Sequence, residues 1–267
     1  MQTLQTLQTA NRKFDTGDGP VLILCDDRQE YVCKHALNGN AVNLICEYIS
    51  ASFLKLWELP VPDFCFINVN YEHVKDVGIQ KRNFERTCFG SKFSKYFVEL
   101  TMFNDEPDLK KINASLGRKL NLLKIALFDL WMSNEDRGIN NLNLLLDVKN
   151  GYNIIPIDHG AVLNSRSLEQ HIALLTENEC LTSTDLMRHL YTKCDFSRED
   201  IRELKDYFYL CTLKCKQNFD EILKFIPSDW CSDLKMVTDK IENEVFADSW
   251  QDNVFNSFLE YINSPFK

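Results

Sequence analysis

The sequence predicts an α+β protein with two lobes, a small strand-rich lobe over residues 1–102 and a larger helical lobe over residues 103–267. Three observations lead to this prediction. Short runs rich in β-branched and aromatic residues, separated by polar turns, are frequent in the first hundred residues. Beyond them, apolar residues recur mainly at helical spacing. The chain has 267 residues, 45% of them hydrophobic, which is enough to bury a sizeable core.

Four strands and one main helix are predicted in the N-terminal lobe. The helix is amphipathic and stops at Leu59-Pro60-Val61-Pro62, because proline disfavours helix in the residue before it. The predicted strands are residues 21–25, 30–34, 64–69 and 95–100, and the predicted helix is residues 41–57.

The first two of these strands set the expected position of a lysine. The expected hairpin pairs Cys25 with Glu30. In that register Lys34 lies opposite Val21. It would then lie beside the Gly17-Asp18-Gly19 segment. Lysine also occurs on strands as an edge residue that hinders aggregation, so the register alone leaves its role open.

The C-terminal lobe is predicted to begin with a strong helix. Residues 116–132 are apolar on most helical faces, which indicates a buried helix. A polar loop follows over residues 133–140, and then two apolar runs, 142–148 and 152–157. From about residue 168 the pattern is again helical.

The two apolar runs are predicted to form a hairpin with Asn150-Gly151 as a two-residue turn. Asn-Gly favours this turn because both central residues need a positive φ. Counting outward from the turn pairs Asn143 with Asp158. Asn141 would then lie opposite Gly160. The sequence therefore predicts that Asn141 and Asp158 converge at the open end of this hairpin.

The loop that carries Asp136 leads into the same end of the hairpin. A carboxylate and an amide oxygen, from Asp158 and Asn141, are suited to Mg²⁺ shared with phosphates. Asp136, five residues before Asn141, can accept a proton or orient a hydroxyl nucleophile. Aspartate and asparagine are also common turn residues, and this alternative stays open for each residue taken singly.

Taken together, these residues form a pattern that resembles the protein-kinase-like fold. A D-x-x-x-x-N loop runs from Asp136 to Asn141, and an I-D-H-G stretch runs from Ile157 to Gly160. The Asp-Arg order in the loop is similar to that of HipA-like kinases and phosphoinositide kinases. The N-terminal half favours the HipA-like family, and the resemblance runs from about residue 12 to residue 163. Its marks in this half are Lys34 in E-Y-V-C-K, Glu47, Trp57–Pro62 and Cys88–Lys92.

This resemblance implies a nucleotide-binding N-terminal lobe and a catalytic C-terminal lobe, together one kinase-like unit. It implies a lysine on the nucleotide phosphates, a glutamate paired with it, a catalytic base, two Mg²⁺ ligands, a glycine loop over the phosphates and a hinge against the adenine. The residues in these positions are Lys34, Glu47, Asp136, Asn141 with Asp158, Gly17 with Gly19, and Phe97–Leu100 including Glu99.

The activity that the resemblance implies is transfer of phosphate from ATP, with Mg²⁺, to a serine or threonine of a protein. A toxin kinase with an antitoxin-like partner would be one form of it. Two alternatives stay open: a pseudokinase or interaction module of the same fold, and a kinase for a lipid or small molecule. The joint presence of Lys34, Asp136, Asn141 and Asp158 argues against the pseudokinase.

Charge and cysteine use restrict the partners and the compartment. The net charge is −9, of which residues 165–267 carry −7, so we expect neither nucleic acid nor a membrane as partner. The ten cysteines include no C-x-x-C pair, and the N-terminus has no basic region followed by a long apolar one. These features predict a cytoplasmic protein without a signal peptide.

Overall fold

The computed structural model describes most of the chain. The described residues are 1–10, 12–15, 17–100, 112, 116–138, 141–191 and 197–263. The predicted lobe boundary between residues 102 and 103 lies outside these ranges. Six of the strands precede residue 93, and most of the helical residues follow residue 115.

A six-stranded sheet forms most of the N-terminal lobe. Its strand order is β1-β5-β6-β4-β3-β2, and every neighbouring pair is antiparallel except β1 and β5. The strands are β1 (Thr3–Gln5), β2 (Arg12–Lys13), β3 (Val21–Leu24), β4 (Glu30–Lys34), β5 (Phe64–Asn68) and β6 (Cys88–Lys92).

The register between β3 and β4 differs by one residue from the prediction. Leu24 pairs with Glu30, and Val21 pairs with Cys33 rather than with Lys34. The turn has three residues instead of four, and its last one, Arg28, takes a left-handed conformation with φ 64°. Since strand side chains alternate between faces, the shift matters: Cys33 points into the buried core of the sheet, and Lys34 points to the opposite face.

One helix, α1 (Val42–Leu56), follows β4, and the other main helices follow residue 115. They are α2 (Leu116–Met132), α3 (Asp185–Leu190), α4 (Arg198–Leu223), α5 (Cys231–Lys240) and α6 (Asp248–Asn263), with a π-helical turn at Ile241–Val245. Short 3₁₀ turns lie at Tyr71–His73, Lys75–Val77, Lys81–Phe84, Glu177–Glu179, Leu181–Ser183 and Ser228–Trp230. The predicted helices 41–57 and 116–132 are therefore confirmed to within one residue at each end. Among the described residues, no helix combines the length and apolarity that crossing a bilayer requires.

Aromatic side chains join α1 to α2 at the centre of the molecule. The rings of Trp57 and Trp131 stack with 5.6 Å between centroids, and Phe128 meets Trp57 edge-on at 5.2 Å. All three side chains are fully buried. Burial of rings this large is a main source of stability in a core, so these contacts stabilise the packing of α1 on α2.

Helix α1 is also held from the side of the C-terminal helices. The Tyr48 hydroxyl donates to the carbonyl of Ile222 at 2.9 Å. The first backbone N–H of the helix, at Ala41, donates to Asp233 Oδ2 at 2.9 Å. Asp233 Oδ2 also pairs with Arg86 of the N-terminal lobe at 2.6 Å. Because α1 contacts both lobes, its position relative to each of them is fixed.

A second, three-stranded antiparallel sheet carries the predicted hairpin. It has the order β7-β8-β9, with β7 (Phe97–Glu99), β8 (Leu144–Asp147) and β9 (Asn153–Pro156). The two-residue turn is wrong. Asp147 pairs with Asn153, and its carboxylate accepts the backbone N–H groups of Lys149 and Asn150, which stabilises a five-residue loop. The register moves by one residue, so the backbone of Asn143 accepts from Ile157 rather than lying opposite Asp158.

Candidate active site

Three charged side chains from three separate elements meet between the lobes. Lys34 ends β4, Glu47 lies in the middle of α1, and Asp158 follows β9. The Lys34 ammonium donates to Asp158 Oδ1 at 2.7 Å and to Glu47 Oε1. The side chains of Lys34 and Glu47 are 12% and 5% exposed, whereas that of Asp158 is 30% exposed. The structure thus brings together the predicted lysine, its glutamate and one predicted Mg²⁺ ligand.

This triad holds one cation and two carboxylates. Lys34 holds the pKa of Asp158 below its usual range. Burial raises the pKa of Glu47 to about 7, although Lys34 opposes this shift. Burial acts to lower the pKa of Lys34, but the attraction of Asp158 and Glu47 outweighs it, and the net shift is upward. With Asp158 and Glu47 both ionised, the triad has an excess negative charge that a metal ion beside Asp158 would offset.

Position 160 requires glycine because its backbone lies close to the carboxylate of Glu47. The Gly160 backbone hydrogen-bonds to the Glu47 carboxylate and favours its ionised form. A Cβ atom on Gly160 would lie 3.2 Å from Glu47 Oε1, closer than side chains ordinarily approach. Glycine therefore allows the backbone after Asp158 to lie directly against the carboxylate that holds Lys34.

Asp136 lies half-buried in the loop after α2, close to the triad. Its carboxylate accepts from Asn143 Nδ2 at 2.9 Å and from Asn141 Nδ2 at 3.5 Å. Burial raises the pKa of Asp136, and the charge of Asp158 raises it further, while the two asparagines oppose the shift. A carboxylate with a raised pKa is a stronger base, which suits a proton acceptor.

The fully buried Arg137 connects the loop of Asp136 to the hairpin. Its guanidinium donates to the carbonyls of Leu142 and Asn143 and to that of Ile157 at 3.0 Å. It also lies 3.0 Å from Nε2 of His159, and burial and this cation hold the pKa of His159 far below its usual value. His159 is therefore neutral, accepts through Nε2 and carries its proton on Nδ1.

The charge of Arg137 is balanced by Asp129 of α2. Arg137 Nε and Asp129 Oδ2 are 2.7 Å apart, with 0% and 2% of the side chains exposed. Asn134 donates to the other oxygen of Asp129 at 2.8 Å. This pair ties α2 to the loop and, through Arg137, to the backbone on both sides of Asp158.

Substituting Arg137 by methionine should strongly destabilise the fold. The variant leaves the buried carboxylate of Asp129 without its cation and removes the donor to several carbonyls, and breaking a buried pair in this way costs about 3–5 kcal/mol. Urea unfolding should show this loss in the free energy of unfolding. The double variant Arg137→Met/Asp129→Leu should recover part of it, because no buried charge remains. A loss below about 1 kcal/mol in the single variant would contradict the role assigned to Arg137.

The predicted glycine segment lies in the loop that joins β2 to β3. Gly19 has a positive φ of 57°, which suits glycine, and β3 after it begins at Val21, which pairs with Cys33, the residue before Lys34. Gly17 lies in the same loop, with open space around its Cα. Glu99 is exposed at the end of β7, opposite Leu145 of β8. The structure therefore places the glycine loop at the end of β4 that carries Lys34.

The proposed metal ligands Asp158 and Asn141 suit Mg²⁺ in their chemistry. Asp158 uses Oδ1 for Lys34, and its partly exposed side chain has a second oxygen. Asn141 is exposed and turns its amide nitrogen toward Asp136, which leaves its amide oxygen for a metal ion. One carboxylate and one amide oxygen form an incomplete set that phosphate and water oxygens would complete.

Two site residues, Asn143 and Asp129, were missed or misplaced by the sequence analysis. Asn143 was expected opposite Asp158 but holds Asp136 instead, and its positive φ of 46° aims it there. Asp129 was not singled out. A lone carboxylate in an otherwise apolar helix is a usable signal, because a buried aspartate requires a partner.

Comparisons with known proteins bear on the family and the fold. A family model described as HipA-like kinase matches residues 9–254. The structure is similar to that of the Helicobacter pylori proinflammatory kinase CtkA, with a TM-score of 0.54 and 14% identity over 97% of this chain and 99% of that one. A golgi casein kinase structure gives a TM-score of 0.35 and 10% identity over 98% of this chain and 75% of that one. No curated protein sequence matches the chain.

The likeness to CtkA confirms the predicted two-lobed α+β fold of the protein-kinase-like type. The family model spans most of the chain, including β2 to β9 and the residues from Lys34 to Asp158. The protein therefore belongs to the HipA-like kinase family.

Proposed function

We propose that this kinase transfers the terminal phosphate of ATP, with Mg²⁺, to a serine or threonine hydroxyl of a protein. Family membership supports phosphoryl transfer in general. The observation that carries the proposal is the convergence of Asp136, Asn141 and the triad Lys34–Glu47–Asp158 at one place between the lobes. Phosphoryl transfer needs little covalent chemistry from the protein, and it depends on positioning and on neutralising charge.

Each charged residue has one part in this proposal. Lys34 binds phosphate oxygens, and Glu47, fixed in α1, keeps the ammonium in place. Asp136 accepts the proton of the substrate hydroxyl, aided by its raised pKa. Asn141 and Asp158 would hold Mg²⁺, which offsets negative charge on the phosphates when bound.

The direct test is transfer of radiolabelled phosphate from ATP by the purified protein. We expect Mg²⁺-dependent labelling of the protein itself or of an added protein, recovered as phosphoserine or phosphothreonine. EDTA and the Asp136→Ala variant should abolish it. ATP binding without turnover on proteins, lipids or small molecules would support the pseudokinase alternative, and label recovered in lipid would exclude the protein-kinase proposal.

Replacing Lys34 by methionine should weaken nucleotide binding and lower turnover by roughly 10²-fold, since methionine keeps the volume but removes the cation.

The Lys34→Met variant should also change the pH dependence of stability. Lys34 lowers the pKa of Glu47, so its removal raises a value that burial already holds at about 7. The stabilisation from a raised acid pKa is lost as pH rises through the folded-state value. The melting temperature should therefore fall more at about pH 8 than at about pH 5.

Lys214 offers a matched control for this measurement. It pairs with Glu58 at 3.3 Å on the surface, where the two side chains are 37% and 78% exposed. Lys214→Met should leave nucleotide binding unchanged and lower the melting temperature little at either pH. Unaltered ATP binding and turnover in Lys34→Met would show that Lys34 does not hold the phosphates.

A further inference from the structure

A strained turn follows the Asp158-His159-Gly160 stretch. The four residues Leu163–Arg166 have φ values of 60°, 57°, 51° and 70°, all left-handed and none of them glycine. Left-handed residues other than glycine normally occur singly, because the Cβ atom approaches the backbone too closely. A run of four requires that the surroundings hold the backbone in this conformation.

Buried hydrogen bonds supply that constraint. The amide oxygen of Asn164 accepts from Ser133 Oγ at 3.0 Å and from the backbone of Ala173 at 2.8 Å. Its amide nitrogen donates to the carbonyl of His171 at 2.7 Å. Asn164 is only 7% exposed, and Leu163 beside it is fully buried. The conformation of the turn is thus set by the core and not by exposed side chains.

The same turn contacts two loops of the candidate site. On one side, Ser165 Oγ donates to the carboxylate of Glu135 at 2.6 Å, and Glu135 directly precedes Asp136. On the other side, Arg166 Nη1 lies 3.8 Å from Asp18 Oδ2 in the glycine loop. The turn therefore joins the loop of the proposed base to the loop that is proposed to cover the phosphates.

The ion pair between Arg166 and Asp18 is weak enough for another anion to replace Asp18. The side chains of Arg166 and Asp18 are 29% and 34% exposed, and 3.8 Å is long for an ion pair. Such a pair contributes little stability, so an anion of higher charge can displace the carboxylate.

We propose that Arg166 binds the terminal phosphate of the nucleotide, a role that rests on the proposed kinase function. A guanidinium presents several donors in a plane that matches phosphate oxygens. Lys34 binds Asp158, whereas Arg166 lies beside Asp18 of the glycine loop. The transferred phosphate must lie nearest the base, and Ser165 ties this turn to the residue before Asp136. Arg166 is thereby aimed at the third phosphate rather than the first two.

The test compares the affinities of ATP and ADP, each with Mg²⁺, for Arg166→Asn by calorimetry. Asparagine removes the cation but tolerates a left-handed backbone, so the turn is preserved. The loss of a charge-assisted hydrogen bond should weaken ATP binding about 10- to 150-fold. ADP affinity should stay within about twofold, because ADP lacks the phosphate in question. Arg166→Lys should give an intermediate loss for ATP, since the charge remains without the planar donors.

Arg28→Asn is a closely matched control. Arg28 is also a left-handed arginine, with φ 64°, but it is exposed in the β3–β4 turn, at the far end of β4 from Lys34. This variant should bind both nucleotides as the wild type does. Equal losses for ATP and ADP in Arg166→Asn, or no loss for either, would overturn the assignment of Arg166. Failure of the wild-type protein to bind ATP at all would instead overturn the proposed function.

Discussion

Asp158→Asn should abolish Mg²⁺-dependent turnover while the protein stays folded. The substitution removes the single carboxylate among the proposed metal ligands. A bound metal supplies several kcal/mol of charge stabilisation in phosphoryl transfer. At 1.36 kcal/mol per factor of ten, the rate should fall by roughly 10³-fold or more. Asparagine is preferable to alanine here because Asp158 has a φ of 61°, a left-handed conformation that asparagine tolerates.

The fold should survive because the triad has two carboxylates for one ammonium group, and Asp158→Asn removes one of those two negative charges. An asparagine oxygen at position 158 can still accept from the Lys34 ammonium. Asp158 raises the pKa of Glu47, so its neutralisation should bring that pKa down from about 7 and strengthen the pair between Lys34 and Glu47. The variant does lose the attraction between Lys34 and Asp158, which lowers the pKa of Asp158 in the wild type. This attraction stabilises the folded wild-type protein above the unfolded-state pKa of the aspartate, and the stabilisation is lost at low pH.

Nucleotide-induced stabilisation, measured by thermal unfolding with and without Mg²⁺, tests this prediction. In the wild type, Mg²⁺ should increase the stabilisation by ATP, and in Asp158→Asn the increase should disappear. Asp206→Asn, an exposed carboxylate on α4, should behave as the wild type. If Asp158→Asn keeps both its turnover and its response to Mg²⁺, Asp158 is not a metal ligand.

The elements that the sequence predicts well are those whose pattern is local. Helix α2 is apolar on most faces over seventeen residues, and its observed bounds are those predicted, 116–132. Strand β6 was missed because Gly90 lies in its centre, and glycine disfavours strands. The structure shows why it is there: a Cβ on Gly90 would lie 2.3 Å from Ile67 on the neighbouring strand β5. Close approach between strands is a tertiary requirement that no local pattern reveals.

Both hairpin registers were predicted one residue away from those observed. Turn length decides the register, and side-chain contacts decided the turn length. The Asp147 carboxylate binds two backbone N–H groups and makes the β8–β9 loop longer than Asn150-Gly151 suggests. In the β3–β4 turn, Asp27 Oδ1 accepts from the backbone of Gln29, and this turn is one residue shorter than predicted. Aspartate can bind nearby backbone N–H groups in this way, and a prediction that considers it would allow for other turn lengths.

The candidate site was predicted despite these errors because it depends on which segments meet, not on single pairings. The chain order places Asp136 and Asp158 on either side of one hairpin, and a shift of one residue leaves them close. The contact between Lys34 and Glu47 was expected only through the family resemblance. The pairs Asp129–Arg137 and Asp18–Arg166 join residues from different elements, and composition or spacing does not indicate such pairs.

Asp136→Asn should abolish transfer but leave nucleotide binding intact. The variant removes the proton acceptor and keeps the size of the side chain. Its amide oxygen can still accept from Asn143 Nδ2, the closer of its two asparagine partners at 2.9 Å. Proton acceptance by a positioned side chain contributes about 10²- to 10⁴-fold to the rate, so transition-state stabilisation should fall by about 3–5 kcal/mol.

The pH dependence of the residual reaction identifies the role of Asp136. Its pKa is raised by burial and by the charge of Asp158, so the wild-type rate should rise with pH as this carboxylate loses its proton. The acidic limb of the rate profile should therefore lie above the usual range of an aspartate. In Asp136→Asn the limb should vanish together with most of the rate. A purely structural role would lower the rate without removing the limb.

Binding measurements separate the base from the metal ligands. Lys34, Asn141 and Asp158 remain in Asp136→Asn, so stabilisation by ATP with Mg²⁺ should stay within a few-fold of the wild type in apparent affinity. This is the opposite of Asp158→Asn, in which the response to Mg²⁺ is lost. If the nucleotide response disappears together with the activity, Asp136 holds the metal or the fold, and the base lies elsewhere. If transfer continues at the wild-type rate, Asp136 is not the proton acceptor, and the mechanism proposed for this site is wrong.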